Sequence, residues 1–191
     1  MTFQSARTFA IQFAREKLAL RPVYLDTETT SSGQYAEIVE IGIVDDDGQV
    51  LFESLVKPIG RVMDDARRVH GITDEMLVTA PRWMHVWPKV ETVLAGRPVG
   101  IYNAEFDVRM LQQTHTKYRM RWSPPEGTSF FCVMKLYAEF YGEWNPNTRD
   151  FKWQSLENAG RQCGIPLPNA HRTIADALLT RALLHHIAKN V

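Results

Sequence analysis

The hydrophobic pattern divides the chain into a strand-rich first part and a remainder in which strands alternate with helices. Residues 3–19 carry Phe9, Ile11, Phe13 and Leu18 among scattered Arg and Lys, the pattern of an amphipathic helix packed on a domain. Val23–Thr27 is a short apolar strand. EIVEIGIVDDDGQVLFESLV reads as a hairpin, with strands over 37–45 and 49–56 and Asp47-Gly48 as the turn. The stretch KPIGRVMDDARRVHGITDEMLVTAP is turn-rich, with a short helix expected after a Thr73 cap. Helix is predicted over Trp83–Ala95 despite Pro88, strand over Pro98–Tyr102, and helix over Phe106–Tyr118 with Phe106, Met110 and Leu111 facing inward. A strand over Ser129–Val133 runs into a helix over Met134–Tyr141. EWNPNTRDFKW reads as loop, with Trp144 and Trp153 flanking its polar centre. Helices over Gln154–Cys163, stopped by Gly164, and over Thr173–Ala188 follow. A meander of strands and then alternating strands and helices predicts an α/β fold with a mixed sheet covered by helices.

Length and composition narrow the picture without deciding it. A chain of 191 residues is expected to form one domain, residues 1–191, with the 3–19 helix packed on it. A formal net charge of zero provides no global attraction to nucleic acid or to an acidic membrane, so any such contact must come from local patches. The two cysteines, Cys132 and Cys163, lack CxxC spacing and read as reduced residues of a cytoplasmic protein. No apolar run approaches the ~20 residues needed to cross a bilayer, and the N-terminal segment lacks the apolar core of a secretory signal. Asp45, Asp46 and Asp47 are consecutive, whereas a calcium loop needs alternate positions and a later glutamate, so they read as a solvated turn.

Three stretches carry candidate chemistry. In YLDTETTSSG, Asp26 and Glu28 are two apart on a strand and therefore face the same side, at the carboxyl end where α/β folds place their sites. Two carboxylates held together repel, and a hard divalent cation with oxygen ligands relieves that repulsion. In IYNAEFDVRML, a strand ends, Asn103 is positioned to cap, and Asp107 falls in the first turns of a helix, where the dipole alone favours an acid. In NAHRTIADALLTRALL, Thr173 and Asp176 have the spacing of a capping pair, and His171 precedes them on a loop from which it can approach the same point as Asp176.

Taken in order, DTETT, IYNAEFD and HRTIAD resemble the three motifs of the DEDDh family, the DnaQ-like 3′–5′ exonucleases, which include the proofreading subunit of bacterial replicative polymerase, ribonuclease T and oligoribonuclease. EIVEIGIV and RVHGITDEML are similar to the family's intervening segments, and the likeness covers roughly residues 22–188. The resemblance implies a ribonuclease H-like fold, with a five-stranded mixed sheet flanked by helices, to which this chain adds its N-terminal helix. It implies four metal-binding acids at Asp26, Glu28, Asp107 and Asp176, a general base at His171, and two divalent cations, Mg²⁺ or Mn²⁺. The implied reaction is two-metal hydrolysis of phosphodiester bonds from the 3′ end of nucleic acid, with single-stranded DNA favoured, and release of nucleoside monophosphates.

Thr27, Thr29, His70, Asn103 and Phe106 are the candidate substrate contacts; for Phe106 core packing competes with stacking on a base, and for His70 a structural turn role competes. The basic and apolar alternation from Lys117 to Trp122 is a candidate track for a single strand. Two departures from the family pattern are Tyr102, where many members have histidine, and the Thr29–Gly33 turn, where many read T-T-G. The competing readings are a 3′–5′ exoribonuclease of the ribonuclease T or oligoribonuclease type and a non-catalytic nucleic-acid or polymerase-binding module. The family also includes homodimers, which no feature of the pattern selects. A polymerase partner is not indicated by any docking tail.

Overall fold

Val23, Tyr24 and Leu25 are fully buried because their strand lies in the middle of a sheet covered on both faces. The computed structural model describes residues 3–166 and 171–190. Five strands, β1 (Val23–Thr29), β2 (Ile38–Val44), β3 (Val50–Leu55), β4 (Pro98–Ile101) and β5 (Ser129–Cys132), form one sheet in the order β3-β2-β1-β4-β5. The β1–β2 and β2–β3 pairs are antiparallel, and β1–β4 and β4–β5 are parallel. All seven residues of β2 are buried, Glu40 among them. The β2–β3 turn uses its three aspartates separately. Asp45 accepts from the Asp47 and Gln49 amides, Asp46 accepts from the Tyr24 hydroxyl, and Asp47 pairs with Arg21. Gly48 supplies the positive φ of 87° that the turn needs.

Helices α1 (Phe3–Ala19), α5 (Val133–Tyr141) and α7 (Thr173–Lys189) cover one face of the sheet; α3 (Trp83–Leu94) and α4 (Ala104–Lys117) cover the other. The N-terminal helix is held in two ways. Ala6, Ala10 and Ala14, one turn apart, are completely buried. On the same helix Arg15 donates to the Ala188 and Asn190 carbonyls, satisfying acceptors at the end of α7, and Arg7 donates to the Phe140 carbonyl of α5. Among the described residues no helix is long and apolar enough to cross a membrane.

Two local readings change. The short helix lies before Thr73, as α2 (Asp64–His70), and ends at Gly71, whose φ of 72° closes an N–H bond to the Arg67 carbonyl. Residues after Thr73 form turns only, since Asp74 turns back to accept from the Val62 amide. The 143–153 loop is a hairpin of two-residue strands, β6 (Trp144–Asn145) and β7 (Asp150–Phe151), followed by α6 (Leu156–Gln162). Its tip is organised by Asn145, whose side chain accepts from the Asn147 amide.

Seating α7 on the sheet requires a missing side chain. A Cβ at Gly42 would stand 2.5 Å from Thr173 Oγ1 and 2.8 Å from Thr173 Cβ. Gly42 is the β2 partner of Asp26, so the start of α7 comes down directly beside that acid.

Candidate active site: a carboxylate cluster at the end of the central strand

Strand alternation puts Asp26 and Glu28 on the α7 face of β1 and Thr27 on the α4 face. Asp26, Glu28 and Asp176, the last from the first turn of α7, each present an oxygen within 4.8 Å of the other two. Asp107, buried in the first turn of α4, stands beside this group and is held by the Thr27 hydroxyl, which donates to its Oδ1 at 2.7 Å. Thr27 is thereby committed to an acid.

Their electrostatics are those of an unpartnered anion site. Burial, and then the charges of Asp107, Asp176, Glu28 and Glu40, hold the Asp26 carboxyl well above the ordinary range. Burial and the charges of Asp176, Glu40 and Asp107 push Glu28 up to about 8. Burial raises Asp107 to about 7 against the Thr27 hydrogen bond, and Asp176 is raised by burial and lowered by His171. Among the described residues no hydrogen-bond donor reaches the Asp26 or Glu28 carboxylate. Hard oxygen donors, clustered, partly buried and mutually repelling, are a donor set that fits a divalent cation.

The third motif is arranged differently from a capping box. Arg172 occupies the N-cap position, and the Thr173 hydroxyl is buried against the sheet without a hydrogen-bond partner. Asp176 reaches back to accept from the His171 amide at 3.2 Å. His171 adopts a left-handed backbone, φ 65°, and is exposed at the rim of the cluster. What fixes this turn is Glu40, an acid in the middle of an apolar strand, 1% exposed. Its carboxylate accepts from Arg172 Nη2 at 2.5 Å, from Arg172 Nε at 3.0 and 3.1 Å, and from the Thr173 amide at 3.1 Å. Glu40, Arg172 and Gly42 position the site and were not singled out from the sequence. The available signal was a charge at an inward position of IVEIGIV, which must find a partner.

A cleft of about 240 Å³ opens beside the acids, walled by Thr27, Glu28 and Thr29 of β1, the Ser31–Ser32 turn, Val69 and His70 of α2, and Phe106 of α4. Phe106 is half-buried there, with the Arg109 guanidinium 5.3 Å from its ring centre. The Thr29 hydroxyl donates to the Ser31 carbonyl, shaping the turn. His70 Nδ1 accepts from the Ile72 amide at 3.0 Å, so the hydrogen is assigned to Nε2, which donates to the Thr29 carbonyl at 3.1 Å. Burial holds this imidazole below its ordinary pKa, and it faces the cleft with both nitrogens occupied. Asn103 is the N-cap of α4, with φ 65° and no side-chain capping bond; it is exposed and is not one of the residues that wall the cleft. Lys117 to Trp122 lies at the other end of α4. There the Tyr118 hydroxyl donates to the Lys57 carbonyl, and Trp122 packs against Trp87 and His115, away from the acids.

Comparison with known proteins agrees with this arrangement. A family model described as an exonuclease, RNase_T, matches residues 23–184. The chain is 35% identical over 185 residues to the uncharacterized exonuclease CP81 of Escherichia phage 186, covering 93% of each. It is 31% identical over 174 residues to DNA polymerase III subunit epsilon of Pasteurella multocida, covering 86% of this chain and 65% of that one. Among solved structures, exonuclease X in complex with 5′-overhanging duplex DNA superposes with a TM-score of 0.65 at 26% identity, covering 86% and 89%. Escherichia coli exonuclease I in a complex with single-stranded DNA superposes with a TM-score of 0.69 at 17% identity. That match spans 85% of this chain but only 39% of exonuclease I, and shows the shared fold. Sheet order, the acids gathered at the end of β1 and the matched length lead to one assignment: the chain belongs to the DEDDh, DnaQ-like 3′–5′ exonuclease family of the ribonuclease H-like superfamily.

Proposed function

We propose that this enzyme removes nucleotides from the 3′ end of single-stranded DNA, residues 1–191 acting as one exonuclease unit. The observation that carries the proposal is the cluster of Asp26, Glu28 and Asp176 with Asp107 beside it, all with carboxyls raised by burial or mutual charge. DNA is favoured over RNA because the relatives named above include a DNA polymerase subunit and exonucleases bound to DNA.

Asp26, Glu28, Asp107 and Asp176 would hold the divalent cations, Mg²⁺ or Mn²⁺, two in number by resemblance to the family. When bound there, such ions supply Lewis-acid activation of water and neutralise charge developing on phosphate. The remaining work falls to the chain's own groups. Thr27 orients Asp107 through the hydrogen bond to its Oδ1. The cleft between Thr29, His70 and Phe106 accepts the terminal nucleotide, with Phe106 placed to stack on its base. His171, exposed at the rim next to Asp176, takes a proton from the attacking water at an imidazole nitrogen. The bond between phosphorus and the 3′ oxygen of the penultimate nucleotide breaks, and a nucleoside 5′-monophosphate leaves.

The test is digestion of 5′-labelled single-stranded DNA and RNA dodecamers, each with a free or phosphate-blocked 3′ end, in Mg²⁺ and then in chelator. A ladder shortening from the free DNA 3′ end only with Mg²⁺ is expected. Degradation undiminished in chelator, or absence of shortening in Mg²⁺ and Mn²⁺, would refute the reading. Faster loss of the RNA would move the assignment to an exoribonuclease.

A further inference from the structure

The β6–β7 hairpin has no part in the chemistry above, yet it is built against the site. Tyr102, a residue that departs from the family pattern, follows β4 and donates its hydroxyl to the Gln154 carbonyl at 2.8 Å, fastening the exit of the hairpin. The next residues begin α4, which carries Asp107. Lys135 of α5 pairs with Glu105 of that same first turn at 2.5 Å, and its Nζ stands 6.0 Å from the centre of the Trp153 ring. The residues leaving the hairpin, Trp153 and Gln154, therefore lie beside Tyr102 and Lys135, which flank the start of α4.

Its surface chemistry is specific. Trp144 is 52% and Trp153 57% exposed, while Trp83 is completely buried. Trp144 and Phe151 are cross-strand partners in edge-to-face contact, 5.5 Å between ring centres. Phe151 and Trp153 line a groove of about 440 Å³, with Asn145, Thr148, Asp150 and Lys152 as its other walls. That is larger than the 240 Å³ cleft beside the acids. Flat rings bordered by amide, hydroxyl, carboxylate and ammonium groups suit a planar ligand with a polar edge. They suit an apolar protein surface poorly, since burying those polar groups without partners is unfavourable.

We infer that this groove is a second nucleotide subsite, which stacks an unpaired base of the substrate strand on Trp153, several nucleotides upstream of the bond being cut. It rests on the reading of the chain as an exonuclease acting on single strands. Tyr102 acts as a positioning residue that keeps the hairpin beside the strand's path.

Two measurements on the full chain test this. Fluorescence anisotropy of a labelled oligo-dT dodecamer in chelator measures binding without hydrolysis, and the kcat/KM ratio of dodecamer to dinucleotide in Mg²⁺ measures length preference. Replacing Trp153 by alanine is expected to weaken dodecamer binding by about 5- to 150-fold, the range for loss of one stacked base. It is also expected to collapse the ratio through KM. Tyr102→Phe should lower the ratio less while the melting temperature stays close to that of the parent. Dodecamer binding within two-fold of the parent in Trp153→Ala would overturn the subsite, as would equal losses on both substrates. If the parent binds the dodecamer, loses it on Trp153→Ala and yet hydrolyses nothing, the subsite stands and the exonuclease proposal falls.

Discussion

Adding one methyl group at Gly42 tests how the site is assembled. The Cβ of alanine there would lie 2.5 Å from Thr173 Oγ1, 2.8 Å from Thr173 Cβ and 2.9 Å from Ile174 Cδ1, where ordinary contact begins at 3.4 Å. Ile174 Cδ1 is a side-chain end that can turn away, but Thr173 Cβ is fixed to the backbone of the first turn of α7, so its contact cannot be relieved by side-chain rotation. The start of the helix must retreat by about 1 Å, the difference between the 2.5 Å contact and ordinary van der Waals separation. Overpacking of this kind costs about 1–3 kcal/mol, or roughly 2–12 °C in melting temperature for a chain of this size. Asp176 lies three residues into the same rigid helix and moves with it. Ligand distances in a metal site tolerate only ~0.2 Å, and a misplacement of about 1 Å in a catalytic group costs on the order of 10²-fold in rate.

The assay pairs thermal melting, with and without Mn²⁺, with turnover of a single-stranded oligonucleotide. Gly42→Ala is expected to melt lower, to lose most of the Mn²⁺-induced rise and to fall about 10²-fold in kcat. If activity stays within three-fold of the parent and the Mn²⁺ response is intact, then Asp176 is not held in place by close seating of α7 on β2, and the account of the cluster fails.

Other perturbations follow from the same geometry. His171→Ala should lower kcat by about 10²–10⁴-fold while the Mn²⁺-induced melting shift survives, because the imidazole is a proton acceptor and not a ligand; loss of the shift would contradict that division. Asp26→Asn should raise the melting temperature in chelator, because a neutral amide replaces a buried carboxyl that burial and neighbouring acids force to take up a proton on folding, and abolish both the Mn²⁺ response and turnover. In the chelated parent, acids whose folded pKa lies above the unfolded one hold extra protons when folded, so stability should fall as pH rises from about 4 toward about 8, the value reached by Glu28. Melting curves between pH 5 and 8 check this: Mn²⁺ should flatten the decline, and an equal slope with and without the ion would count against metal binding by these acids. Glu40→Gln should lower stability by about 1–3 kcal/mol, discounted for the partial exposure of Arg172, and weaken Mn²⁺ binding measured by calorimetry.

Much of this was legible from periodicity. The strand ending in Asp26 and Glu28, the hairpin after it and the helices flanking the sheet follow from apolar runs and turn residues long enough to declare themselves. What escaped depends on single contacts. Strands of two residues, as in β6 and β7, are too short to show a period of two, and are held by an Asx turn and an aromatic cross-strand pair. Thr173 looked like a helix cap because its spacing to Asp176 is right; tertiary packing turned its hydroxyl into the sheet and left Arg172 at the cap position. Asp107 and Asp176 each had an adequate local explanation as a helix-start acid. Only their meeting in space with Asp26 and Glu28 distinguishes a site from two well-placed helix ends.

Arg172 explains why the cluster has no cation partner of its own. A cation whose charge is felt at Glu28 would neutralise that acid internally if it paired with it, and a divalent ion would then have to displace it. The pleat prevents this. Glu28 and Glu40 are cross-strand partners on one face; the guanidinium is held on Glu40 by three close contacts that engage both of its oxygens, and the Thr173 amide also donates to Oε2. Its effect on Glu28 is the smallest of the influences on that group, opposing a rise that still carries it to about 8. Glu40 therefore engages the guanidinium and anchors the turn bearing His171 and Asp176, and the neighbouring acids are left without a cation partner, the place a divalent cation would fill as it displaces their protons.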